Sequence, residues 1–154
     1  MFSHLTKEEK KIFQNFNTPS KIQNFINGIP ANFEPNGDTC KSPRTILKEN
    51  KCHCIEGAIL TAMILRFHDY EPLILDMEST KKDFDHVITI FKENGKFGAI
   101  SKTNHAVLRY REPIYNSVHE LVMSFFHEYF TDDGKKTLRR YSNPVNLKRF
   151  DKYG

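Results

Sequence analysis

The run from Cys54 to Phe67 is apolar on nearly every side, and it limits more than any other stretch how this chain can fold. Ile55, Ala58, Ile59, Ala62, Met63 and Leu65 recur at helical spacing, and Gly57, Ala58 and Ala62 are small enough for close packing. A helix with no broad polar face has to be surrounded by other elements. It should begin at Cys54, where the loop around Asn50-Lys51 ends, and stop near Phe67-His68-Asp69. The chain of 154 residues is long enough for one such domain, spanning 1–154.

The surroundings can be read from capping and turn signals. Thr6-Lys7-Glu8-Glu9 has capping-box order ahead of Ile12, Phe13 and Phe16. Thr18-Pro19 and Ser42-Pro43 each place a proline at a first helical position, where its missing N–H costs nothing. Residues 31–41 read as irregular loop. After Pro72, Leu73-Ile74-Leu75 is a short strand, and His86 to Phe91 is a longer one. The Asn94-Gly95 step is a hairpin signal that returns the chain through Lys96 to Ile100. Ala106 to Tyr110 is expected to add a strand, which makes an antiparallel sheet of three or four strands over 72–111. Ser117 to Glu120 is a second capping box, opening a helix expected to run through Tyr129, and the tail should wrap the domain. Helices followed by strands give an α+β class.

The bulk properties narrow the partners. The net charge of +4 is spread through the sequence, apart from a run of basic residues from Lys135 to Lys152. Nucleic-acid binding calls for a concentrated basic stripe with aromatic platforms, so no nucleic-acid partner is expected. No apolar run approaches the ~20 residues of a membrane span, and residues 1–7 lack the apolar core of a signal peptide. The three cysteines, Cys40, Cys52 and Cys54, are odd in number, and two of them lie too close for an unstrained bridge. Free thiols in a reducing cytoplasm are expected.

Cys54 stands where a helix offers its free N–H groups and positive dipole end, which favour a thiolate and face a developing oxyanion. That position is expected to lower the thiol pKa. A base should come from a rigid element elsewhere, and His86 opens a strand after a loop. Pairing counted back from the Asn94-Gly95 turn puts residues 100–104 at the level of His86 or just beyond it. Ser101, Thr103 and Asn104 are then the polar groups able to orient its ring, while Asp85 should face elsewhere. Glu34 and Glu56 are the carboxylates expected near the site. Cys52, His53, Cys54 and His86 could be written as four metal ligands, but a second paired-cysteine element is missing, and no metal or cofactor is expected.

Cys54-Ile55-Glu56-Gly57-Ala58, Asp85-His86-Val87 and Gly95 to Ser101 together resemble the core of the transglutaminase-like superfamily, over about residues 42–111. Ser42 to Arg44, His53 to Ala58, Asp85 to Val87 and Ile100 to Arg111 also resemble a smaller bacterial group within it. The resemblance implies a papain-like arrangement, with Cys54 as nucleophile and His86 as base. The family's Asp falls on Ser101, which carries no charge to stabilise an imidazolium, unless Asn104 swings in. The implied activity is hydrolysis or transfer at an amide or ester carbonyl, on a small-molecule or peptide amide substrate. The alternatives are a non-catalytic binding domain with a degenerate site, or an accessory subunit meeting a partner through Lys102 to Arg111. Arg109 and Arg111 are candidates there for recognising a carboxylate or phosphate.

Overall fold

The computed structural model describes residues 2–153. Four helices come first: α1 Lys7–Asn15, α2 Pro19–Gly28, α3 Pro43–Glu49 and α4 Cys54–Phe67. Each of the first three is capped as its sequence implies. Thr6 accepts from the Glu9 amide while Glu9 accepts from the Thr6 amide, and Thr18 and Ser42 accept from the amides of Lys21 and Thr45. Asn50 ends α3 in the left-handed region at φ 51°, a conformation that asparagine tolerates better than most residues.

Strands β1 Leu73–Glu78, β2 His86–Glu93, β3 Lys96–Ile100 and β4 Arg111–Tyr115 follow. Then come the short helix α5 Val118–Met123 and two short strands, β5 Arg140–Tyr141 and β6 Val145–Asn146. All strands pair antiparallel in the order β4-β3-β2-β1-β5, and β6 also pairs with β1. The hairpin closes with Glu93 opposite Lys96 and positive φ at both Asn94 and Gly95, the backbone that an Asn-Gly pair favours.

The helices pack against this sheet, giving an α+β fold. One apolar cluster joins α1, α2, α3 and α4 to Phe91 and Ile100. A second, on the opposite face, gathers Leu75, Met77, Ile88 and Ile90 under Leu121, Val122, Phe125 and Tyr129. Helix α4 is buried on most sides, as an apolar helix must be. Its one buried hydroxyl is satisfied. Thr89 donates to Ala58 O at 2.8 Å, and Thr61 meets Thr89 at 2.6 Å and Gly57 O at 2.9 Å. These bonds fix how far α4 slides along β2.

Three expectations are corrected. Ala106 to Tyr110 is a loop, not a strand; the fourth strand begins at Arg111, opposite Ala99. Leu108 is drawn off the sheet at φ 60°, with its amide donating to Glu128 and its carbonyl accepting from Ser101. The helix after Ser117 stops at Met123 and gives way to a 3₁₀ turn, Phe126–Glu128. Arg111 takes the Ser124 carbonyl and the Glu128 carboxylate at that point, stacking over Phe125 with 4.0 Å to the ring centre. Among the described residues the sheet has six strands, because the tail adds two short ones along β1.

Candidate functional site

Cys54 is the first residue of α4, behind the cap residue His53. The Thr89 contact fixes its level against the sheet. One pleat back along β2, ~6.8 Å, leads from Thr89 to Val87. One turn back along α4, ~6 Å, leads from Ala58 to Cys54. The Val87 amide accordingly joins those of Ile55 and Cys54 itself among the donors that favour the Cys54 thiolate. Burial outweighs them and raises the thiol pKa. The lowered pKa expected from the helix start is therefore overturned, because the first turn lies inside the protein.

His86 opens β2, is only 8% exposed, and shares the strand face of Ile88 and Ile90, opposite the face that carries α4; among the described residues no hydrogen bond joins its ring to Cys54. Its Nε2 lies 2.7 Å from Ser101 Oγ. Ser101 directs its single hydroxyl proton to Leu108 O at 2.5 Å, so the imidazole donates through Nε2–H and keeps Nδ1 as its acceptor. Burial, helped by nearby His105, depresses the imidazole pKa to about 4, so the ring is neutral at pH 7. Asn104 lies exposed in the bend beyond, and the Thr103 hydroxyl accepts from the His105 amide. Of the polar groups that the pairing count brought within range, Ser101 is the one that holds the ring.

Ser101 is itself clamped. Gln23 on α2 accepts from the Ser101 amide at 2.8 Å and donates to its carbonyl at 2.9 Å. The sequence reading missed Gln23, though a signal was available. Pro19, Ile22, Gln23 and Ile26 are the buried positions of α2, at i, i+3, i+4 and i+7, so a glutamine occupies a place that helical periodicity assigns to the core. Next to Ser101, Lys102 runs inward to Ile29 O. A Cβ on Gly57 would sit 2.5 Å from Lys102 Cβ. Glycine at this position lets the end of β3 close against the first turn of α4.

Glu56 is fully buried and accepts from Thr39 Oγ1 at 2.7 Å, the Lys41 amide at 2.9 Å, the His53 amide at 3.1 Å and Asn32 at 3.3 Å. Glu34 joins the same group through the Thr39 amide and lies 3.2 Å from His53 Nε2. These carboxylates organise the 31–41 loop beside the start of α4. Two phenylalanines in the loops ahead of α3 and β2 are exposed: Phe33 at 75% and Phe84 at 90%. Arg111 is committed to Ser124 and Glu128, and Arg109 donates to Asn27 and His105 O, so both arginines brace the loop they border. Cys40, Cys52 and Cys54 are free, and Cys52 is buried among the helices. Among the described residues, no three His, Cys, Asp or Glu side chains converge as metal ligands, and no helix is long and apolar enough to cross a membrane.

No family model matches this sequence. No curated protein matches it either. The site's own geometry therefore carries the functional reading.

Proposed function

We propose that this chain is a cysteine-dependent amide or ester hydrolase or acyl transferase on a papain-like, transglutaminase-like core, working in the cytoplasm on a small-molecule or peptide amide substrate. Cys54 is the nucleophile, His86 the base, and Ser101 the residue that orients the ring. The observation carrying this reading is the Leu108–Ser101–His86 chain of hydrogen bonds, which leaves Nδ1 with its lone pair free to take a proton.

A raised thiol pKa and a depressed imidazole pKa describe a neutral resting pair. Proton transfer from Cys54 Sγ to His86 Nδ1 then accompanies attack on the carbonyl carbon. The Cys54 amide stabilises the oxyanion. As the tetrahedral species collapses, the imidazolium protonates the departing nitrogen or oxygen and leaves a thioester. Water or an amine attacks that thioester, His86 takes its proton, and the thiolate leaves and is reprotonated.

The raised thiol pKa, the uncharged Ser101 and the position of His86 on the sheet face of Ile88 and Ile90, opposite the face that carries α4, favour a second reading, a binding domain without the chemistry. Iodoacetamide labelling with peptide mapping separates the two. On the enzyme reading, His86→Ala slows alkylation of Cys54 at least about tenfold and leaves exposed Cys40 unchanged. Equal Cys54 rates in the two proteins would leave only the binding domain.

A further inference from the structure

Asp76 stands opposite Val87 in the β1–β2 ladder. Its neighbours Leu75 and Met77 belong to the cluster beneath α5, so strand alternation turns Asp76 to the other face, the one that carries α4. Val87 is the residue whose amide meets the Cys54 thiol, and the Asp76 charge is close enough to contribute to raising that thiol's pKa. The Asp76 backbone is fully engaged with Ser142, donating to Ser142 Oγ at 3.0 Å and accepting from the Ser142 amide at 2.9 Å. Its side chain differs. Oδ1 is shielded from solvent and, among the described residues, has no hydrogen-bond partner.

An orphaned, shielded carboxylate oxygen is destabilising, and folds retain few of them. Nor does its position help the thiol, because a negative charge beside Cys54 opposes the thiolate. Burial and the charges of Asp85 and Glu78 raise the Asp76 pKa in turn, and among the described residues no cation forms an ion pair with it. Such a group is accounted for by a donor that arrives with the substrate.

Building on the Cys54 reading, we propose that Asp76 is a specificity residue that receives a cationic group of the substrate. The substrate class is an amide or ester bearing an ammonium or guanidinium near the scissile carbonyl. The incoming N–H groups satisfy Oδ1, and their charge offsets the carboxylate as the thiolate forms.

Charge selectivity at the thiol tests this without knowledge of the substrate. The protein is treated in parallel with three methanethiosulfonates: neutral methyl, cationic 2-(trimethylammonio)ethyl and anionic 2-sulfonatoethyl. Rates at Cys54 and Cys40 are read by peptide mass spectrometry and divided by the neutral rate, which removes differences in thiolate fraction. The cation-to-anion ratio at Cys54 should exceed that at Cys40 by about tenfold at low salt and fall toward it in Asp76→Asn. A wild-type ratio at Cys54 no larger than at Cys40 overturns the proposal even if the variant fails to fold, as does an unchanged ratio in a folded variant. If Cys54 resists the neutral reagent too, the nucleophile reading fails and Asp76 loses its role with it. Neutral reactivity without charge preference removes Asp76 alone.

Discussion

Ser101 has to serve two partners at once: it donates to Leu108 O and accepts from His86. A carboxylate at this position could accept from the imidazole and stabilise its cation, but it has no proton for the Leu108 carbonyl. Ser101→Asp is therefore expected to lower stability by about 1–3 kcal/mol, the cost of a buried acceptor left unpaired, even though it introduces the acid that the family resemblance implies. Thermal and urea denaturation of the variant measure this, and an increase in stability would contradict it. Counting residues from the Asn94-Gly95 turn brought Ser101 within one pleat of His86, because a two-residue hairpin fixes register: Thr89 pairs with Ile100, so Ser101 follows beside Ile88 on the face that His86 shares. The count could not choose among Ser101, Thr103 and Asn104, since that choice rests on Gln23 and Leu108, 78 and 7 residues away in sequence.

Among the elements, α4 and the β2–β3 hairpin were legible because their signals are local: an apolar run behind a cap, and a turn dipeptide between β-branched stretches. The strand expected at Ala106 to Tyr110 has the right residues for one. It is displaced because Glu128 and Ser101 claim both backbone groups of Leu108, partners that no window around Leu108 contains. The helix after Ser117 fails for the same kind of reason, as Arg111 engages the chain from outside the element. The seat of α4 can be tested through Gly57. Gly57→Ala drives a methyl group into Lys102, and a clash of that sort in a packed interior costs about 1–3 kcal/mol. Because Lys102 follows Ser101 directly, the displacement should also loosen the hold on His86. Slower alkylation of Cys54 is expected alongside lower stability, with Cys40 unaffected. Lost stability with unchanged labelling would show that packing at α4 and orientation of His86 are separate matters.

For the molecule as a whole, the order of helices then strands was enough to give the class, while the two-sided covering of the sheet emerges only when the tail adds its strands to β1 and Tyr129 anchors to the Phe84 and Met77 carbonyls. Folding so completely around the site makes stability depend on pH. His86 titrates at about 4 in the folded protein, against 6.5 for an ordinary histidine. Between those values the unfolded chain binds a proton that the folded one refuses. Stability is thus fully present above pH 6.5 and declines as the pH falls toward 4, by about 1.4 kcal/mol per pH unit, or about 3 kcal/mol in all. The carboxylates act lower down. The hydrogen bond from Arg44 leads the influences that hold Glu9 down to about 2, and the donors around Glu56 outweigh its burial and depress it as well. Their contribution is present above the ordinary carboxylate value of 4.5 and is lost as the pH falls through the lowered ones. Acid unfolding should therefore proceed in two stages, with histidine first. Urea denaturation at closely spaced pH values is expected to show a slope between 6.5 and 4 that His86→Asn abolishes, while the fall below 4.5 persists. If the variant kept the upper slope, the buried neutral imidazole at the head of β2 would not be its source, and the neutral resting state assigned to the Cys54–His86 pair would go with it.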